Sequence, residues 1–303
     1  MTARPVIFGE ILFDHFPSGE EVLGGAPLNV AAHLAALGES PLFVSRVGGD
    51  EAGERALAEL GRRGVDRRGV QRDPALPTGR VEVSLDGDGP RFDILARRAW
   101  DAIDAAEALV ALDGSEADLL YHGTLAAREA TSRQALLAVR SAAGAPFVVD
   151  VNLRPPWTPA ARALDLARGA ALLKVSREEL AELAPGEGAE TEPDLPAARL
   201  LATTVAGRLV VTDGERGARL FAAGGAGERI AAPALDRRRF VDAVGAGDAF
   251  AAVLILGIRR GWPEHLALTR AAELAAAVCT LRGALPADDG FHAPFRRAWE
   301  SAS

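Results

Sequence analysis

Asp242-Ala243-Val244-Gly245-Ala246-Gly247-Asp248-Ala249-Phe250 sets two glycines around one alanine and follows them with a carboxylate. An apolar run then continues to Ile258 and ends at Arg259 and Arg260. This pattern predicts a tight turn that opens a helix. The N–H groups of a first helical turn lack intrahelical partners, and with the helix dipole they favour an anion such as phosphate. Asp248 falls at the rim of that site, where a carboxylate repels phosphate but suits a proton acceptor or a metal partner. An Asp in a first turn also stabilises the dipole by up to about 1 kcal/mol. The segment alone leaves both readings open, because short glycine motifs recur by chance.

The other 294 or so positions narrow the choice. Of 303 residues, 49% are hydrophobic and 25% charged, enough apolar material for one large core or two smaller ones. A formal net charge of -8 argues against nucleic acid or an anionic membrane as the main partner. A small substrate is expected instead. Cys279 is the sole cysteine, so no intrachain disulfide forms, and its apolar neighbours Val278 and Leu281 predict a buried, inert thiol. Arg4, Glu10 and Asp14 interrupt the first apolar stretch, and no run reaches the roughly 18 apolar residues of a membrane span, so a cytoplasmic location is expected. Lys174 is the sole lysine, and Leu173 precedes it. A P-loop needs a lysine directly after its last glycine, so that route to phosphate is excluded.

Val6-Ile7-Phe8 reads as a buried first strand, followed by Gly9-Glu10-Ile11-Leu12-Phe13-Asp14 where a dinucleotide fold would carry G-x-G-x-x-G. Gly24-Gly25-Ala26-Pro27-Leu28-Asn29 leads into a helix from Val30 to Leu37 that Gly38 closes. The glycine pair lets a ligand lie against the backbone, and Asn29 offers a donor and acceptors to a polyol. The alternative is that Asn29 merely caps the helix.

Strand 41–47, helix 50–64 and strand 65–71 follow, an alternation that predicts a parallel sheet with crossover helices. The rhythm breaks between Thr78 and Leu95. Val81, Val83 and Leu85 alternate with polar residues, Asp86-Gly87-Asp88-Gly89-Pro90 turns the chain, and Phe92 and Ile94 alternate on the return. Such a hairpin has one apolar face and reads as a separate antiparallel flap. Its face must be covered by substrate, by the rest of the chain or by a second copy, so a lid that doubles as a homodimer surface is expected.

The α/β rhythm resumes with strand 119–121, helix 125–143 and strand 147–150, which ends in Asp150, Asn152 and Arg154, where open α/β sheets place ligands. Arg154 could hold an anionic group or pair with Asp150. Strand 170–175 precedes Ser176-Arg177-Glu178-Glu179, the pattern of a capping box. After a Pro-, Gly- and Glu-rich loop at 184–196, strand 209–212 enters a second glycine turn, Asp213-Gly214-Glu215-Arg216-Gly217. The remainder, beyond the opening motif, reads as helical.

The two glycine signatures, in this order with a flap near residue 80 and with Gly38 and Gly48 at matching spacing, resemble the ribokinase-like (PfkB) carbohydrate kinases over nearly the whole chain. Gly-Gly-Ala-Pro-x-Asn and Ala99-Trp100-Asp101 are most similar to the fructokinase branch. The resemblance implies a three-layer α/β/α fold with a central, mostly parallel sheet, a single domain over 1–303 with a small antiparallel β lid from about 10–22 and 76–98. It implies a kinase that uses ATP and Mg2+, and in some relatives K+. By similarity Asp248 is the catalytic base, and the amides of Gly245, Ala246 and Gly247 form the anion hole. Asp14, Gly25 and Asn29 would hold sugar hydroxyls, with Asn152 and Arg154 as further substrate candidates. Thr212, Gly214 and Gly217 would lie along the nucleotide, with Lys174, Ser176 and Glu179 near the phosphate and metal water. A monovalent cation would sit near Asp242, Val244 and Gly283.

Two positions depart from the family pattern: Ala243 stands where a threonine is common, and Ser176 where the family has the Asn of Asn-x-x-Glu. Both bear on the cation and magnesium contacts, not on the base or the anion hole. Fructose is the expected acceptor; 2-keto-3-deoxygluconate, ribose and nucleosides are the alternatives. In another class, a non-catalytic sugar sensor remains, whereas a nicotinamide oxidoreductase is disfavoured by the missing fingerprint and by Phe250 where a third glycine is needed.

Overall fold

The computed structural model describes residues 3–86, 89–114, 116–186, 193–222, 225–235, 238–288 and 290–300. The expected turn at Gly87-Asp88 and the part of the 184–196 loop at 187–192 lie outside the described residues. The chain divides into two compact units, Met1–Asp118 with Ala126–Gly144, and Leu119–Leu125 with Ala145–Ser303.

The first unit contains β1 (Arg4–Phe8), β2 (Leu12–His15), β3 (Glu21–Gly24), α1 (Ala26–Ala36), β4 (Leu42–Gly48), α2 (Glu51–Arg62), β5 (Asp66–Asp73), β6 (Gly79–Asp86), β7 (Gly89–Ile94), α3 (Ala105–Leu112) and α4 (Ala130–Ala143). β1, β4 and β5 pair in parallel, with Ile7 opposite Phe43. β1 and the first half of β4 are apolar on both faces, as strands covered on two sides require: Val6, Ile7, Phe8, Leu42, Phe43 and Val44 are fully buried, whereas β5, at the sheet edge, exposes Arg67, Arg68 and Arg72.

The flap is a four-stranded sheet in the order β3-β2-β6-β7. β2–β3 and β6–β7 pair antiparallel, and β2 joins β6 in parallel. Val81 faces Ile94 and Val83 faces Phe92, so these four share one face of the β6–β7 hairpin. Val81, Val83 and Ile94 are buried, whereas Phe92 is 54% exposed. Asp14 lies beside Val81 in the next strand and so joins the same face.

Both roots of the hairpin are hydrogen-bonded. At one, Asp50 caps α2 through the Gly53 amide (2.8 Å) and also accepts from the Thr78 amide (2.8 Å) and hydroxyl (2.5 Å). At the other, the buried Arg128 donates to the Leu95 carbonyl (2.7 Å), pairs with Asp101 through two 2.7 Å bonds and stacks 4.0 Å over Trp100. That pair explains a departure from the single helix expected over 125–143. The segment forms a 3-10 turn at Leu125–Ala127, and α4 begins only at Ala130, after Arg128 has been drawn into its pocket.

The second unit contains β8 (Ala117–His122), β9 (Phe147–Asp150), α5 (Ala160–Ala167), β10 (Leu172–Ser176), α6 (Arg177–Leu183), α7 (Asp194–Thr204), β11 (Arg208–Thr212), β12 (Ala218–Ala222), β13 (Gly225–Ile230), α8 (Ala246–Arg260), α9 (Glu264–Val278) and α10 (Ala293–Glu300). β8 to β11 are parallel neighbours in chain order, and β12 and β13 extend them antiparallel. Val149, Leu173, Val175, Leu180, Leu209 and Val211 form the centre of this unit's core. Among the described residues no helix is long and apolar enough to cross a membrane.

Candidate active site

The motif that opened the sequence reading is a turn and a helix start. Gly245 is the N-cap of α8 with φ 77°, a conformation that glycine adopts without strain. A Cβ at Gly245 would also overlap Ala284, so packing and backbone both require glycine there. No side chain caps α8, and Asp248 stands in its first turn. The Ala246 amide turns back onto the Ala243 carbonyl at 3.2 Å, and the Ala249 amide closes the first turn onto the Gly245 carbonyl at 2.9 Å.

Beneath this turn lies Lys174. A Cβ added to Gly247 would sit 3.4 Å from its Nζ. The ammonium is buried and donates to Asp150 Oδ2 at 2.8 Å. Desolvation alone would lower the Lys174 pKa, but Asp150, Glu179 and Asp248 outweigh it and hold the value above that of an ordinary lysine. A permanent positive charge therefore lies below the opening turn. The same geometry settles the role of Asp150: it pairs with Lys174 rather than with Arg154, which is exposed and donates to the Leu153 carbonyl at 2.9 Å.

Glu179 is positioned by the predicted capping box. Ser176 Oγ accepts from the Glu179 amide (3.2 Å), and Glu179 Oε2 accepts from the Ser176 amide (2.7 Å). Glu179 Oε1 accepts from the Leu153 amide (2.6 Å), which ties α6 to the loop carrying Asn152 and Arg154. Asn152 in that loop has φ 45°, a left-handed conformation that Asn tolerates better than most residues. Burial, and then the charge of Asp150, push the Glu179 carboxyl above the usual range despite the amides and Lys174.

Asp242 Oδ1 accepts from the Val244 amide (2.9 Å) and Oδ2 from the Gly283 amide (3.1 Å), so the three residues expected near a cation do come together. A cavity of about 670 Å³ opens at the α8 start and includes Thr212, Gly214, Gly217, Ala246 and Gly247, with Glu215 beside them. This volume is within the roughly 300–1,000 Å³ of small-molecule sites. Gly217, at φ 93°, also has a structural reason to be glycine, since a Cβ would overlap the Ile230 carbonyl.

Cys279 lines the cavity and is half-buried rather than sealed in the core. Desolvation raises its pKa, which disfavours the thiolate.

In the first unit, Gly25 is the N-cap of α1 with φ 117°, and no side chain caps that helix. Asn29 is a full turn inside: its amide donates to the Gly25 carbonyl at 2.9 Å, so it is not the cap. A Cβ at Gly24 would lie 3.3 Å from Asp14 Oδ2, which puts the aspartate against the glycine pair. Each unit thus gathers its own share of the expected residues: Asp14, Gly25 and Asn29 in the first, the remainder in the second. The sequence reading missed Glu10, a buried acid whose carbonyl would be 2.5 Å from a Gly25 Cβ. The apolar cavity wall beyond the turn was missed as well.

A glycine-capped helix start with a carboxylate in its first turn and a buried ammonium beneath suits phosphoryl transfer, and the chain is a phosphotransferase with an alcohol group as acceptor. The sequence pattern of the pfkB family carbohydrate kinases matches residues 10–289, and the chain belongs to that family. It is 32% identical to a fructokinase of Klebsiella pneumoniae, over 95% of this chain and 96% of that one. A sugar kinase from Pyrococcus horikoshii, solved in complex with ATP, superposes with a TM-score of 0.78 at 26% identity, covering 92% of this chain and 93% of its own. A double-mutant fructokinase from Vibrio cholerae O395, solved with fructose, ADP and potassium ion bound, gives a TM-score of 0.79 at 24% identity over 96% and 97% of the two chains. The fold is the three-layer α/β/α ribokinase-like one, with a large, mostly parallel sheet and a small antiparallel sheet.

Proposed function

We propose that this carbohydrate kinase transfers the γ-phosphoryl group of ATP to a hydroxyl of fructose, in the cytoplasm, and that Asp248 is its base. The observation that carries the reading is the start of α8: a glycine-capped helix without a side-chain cap, Asp248 in its first turn and the Lys174 ammonium below. The acceptor O–H gives its proton to the Asp248 carboxylate as the new O–P bond forms. The bond from the γ-phosphorus to the β–γ bridging oxygen breaks, and ADP leaves. The transition state of phosphoryl transfer is loose, so positioning and charge stabilisation outweigh strong base chemistry. The α8 amides meet the transferred group, Lys174 offsets its charge through space, and Thr212, Gly214 and Gly217 line the nucleotide. Asp14, Gly25 and Asn29 hold sugar hydroxyls, with Asn152 and Arg154 as further contacts.

Mg2+ takes one or two carboxylates together with phosphate oxygens and water, and the buried Asp150 and half-buried Glu179 carboxylates near Lys174 match that sparse donor set. When bound, Mg2+ would neutralise charge that develops on the phosphates. Because both Glu179 oxygens already accept amides, its contact would run through water. K+ would be held by carbonyls of the Asp242–Val244 and Gly283 loops, which the Asp242 carboxylate fastens together. Phe92, exposed on the hairpin, supports a homodimer through the lid; sedimentation showing only monomer across micromolar concentrations overturns that part.

An assay of phosphorylated product over ketoses, pentoses, sugar acids and nucleosides, with and without K+, tests the whole reading. Fructose is expected to give the highest kcat/KM. Preference for a sugar acid or a nucleoside would move the chain to another branch of the family. Binding of sugar with no product from any acceptor would favour the sensor.

A further inference from the structure

The cavity at α8 has two chemically different parts. Near the α8 start and the β11 turn it offers amides, the Thr212 hydroxyl and the Glu215 carboxylate. Elsewhere its described walls are Ala232, Pro233, Leu235, Phe240, Ala272 and Ala276, with further alanines and Cys279. The only polar side-chain atom among these is the Cys279 sulfur, kept protonated by burial and a weak hydrogen-bonding partner. Phe240 is 51% exposed although it lines the cavity, so this wall borders solvent.

We propose that the chain reads the identity of the donor's purine only weakly: GTP and ATP serve it within about 100-fold of one another, the base being held by stacking on Phe240 and by contact with the α9 alanines. The inference rests on the nucleotide reading of this cavity. Stacking tolerates any base because every base offers a π face. An apolar pocket rejects a near-isostere by only about 10²-fold, whereas a pocket built to hydrogen-bond a distinguishing group rejects its absence by roughly 10⁴–10⁵. No described side chain on these walls makes such a bond, and the exposed edge at Phe240 lets the exocyclic groups of guanine keep their water. With GTP the same bonds exchange: the acceptor oxygen takes the phosphoryl group, GDP leaves, and the proton goes to Asp248.

The test uses the full chain and two readouts. Calorimetric titration with the non-hydrolysable β,γ-imido analogues of ATP and GTP requires no acceptor, so it tests the inference even if the kinase reading fails. Sugar phosphate formed from ATP and from GTP, followed by phosphorus NMR, tests the kinase reading itself. The expected result is Kd and kcat/KM for the two nucleotides within about 100-fold of one another. A larger preference for either would show that backbone groups of the 232–235 segment read the base, and would overturn the proposal. Phe240→Ala is expected to raise KM for both donors by the same factor, about tenfold, with kcat kept and Phe240→Trp restoring KM. A KM change confined to one nucleotide, or none for either, overturns the stacking role.

Discussion

At the N-terminus of α6, Ser176 and Glu179 take up one another's amides; at the N-terminus of α8, Gly245 contributes no side chain at all. Both helices lie in the same unit, and both carry acid in the first turn. The difference is what the first-turn amides meet. At α6 the chain supplies the acceptors itself, and Glu179 goes on to bind the Leu153 amide, so this end is a structural joint. At α8 the amides border a cavity with a buried ammonium beneath. α1 in the other unit repeats the α8 arrangement, with Gly25 in a left-handed conformation and no side-chain cap. A helix start closed by its own side chains marks architecture; one closed by glycine alone marks a place for a ligand.

Substitutions at the two ends should separate in kind as well as size. Asp248→Asn should fold and bind sugar yet lose turnover by about 10³-fold or more; near-normal product formation would end the assignment of the base. Gly245→Ala should follow, since it forces an L-residue to φ 77° against Ala284 and shifts the amides proposed to hold the phosphoryl group. A loss in kcat on the order of 10²-fold is expected, comparable to the removal of one oxyanion donor, and steady-state kinetics would measure it. Ser176→Ala touches only the α6 joint, so urea unfolding should show a loss of about 1 kcal/mol with kcat nearly unchanged. A large fall in kcat with stability intact would instead place Ser176 at the phosphate.

The smallest effect is in pH. The Glu179 pKa is raised in the fold, so the folded state binds its proton more tightly than the unfolded chain, and this contribution to stability is present at low pH and lost as pH rises through the raised value. The melting temperature of Glu179→Gln relative to the native chain should therefore increase with pH from about 4.3 upward. A difference that is flat or of opposite slope would mean that Glu179 is not held above its ordinary range.

The parts legible in the sequence are those whose cause is local. Asp242 to Phe250 specifies its turn by two glycines, Ser176 and Glu179 specify a cap by spacing, and β1 and β4 declare themselves by apolar runs. The identity of the partner of Lys174 was not legible, because Asp150 is 24 residues away and meets it only across the pairing of β9 with β10. The break before α4 was hidden for the same reason: Asp101, which captures Arg128, is 27 residues earlier. β12 and β13 run only five and six residues, too short for a pattern to stand out, and α7 carries weak apolar periodicity. The apolar half of the cavity is built largely of alanine, which is equally at home inside any helix, so no pattern distinguished wall from core.

Because the only lysine is also the ammonium sealed beneath the α8 turn, lysine-directed acylation becomes a clock for that seal. In the folded chain Lys174 is out of reach of the reagent and fully protonated, and therefore doubly unreactive. Any label that accumulates on it counts openings of the Asp150 pair. The rate of labelling, read by mass spectrometry on one peptide, would show how often the second unit exposes its centre and how far a bound nucleotide slows that opening.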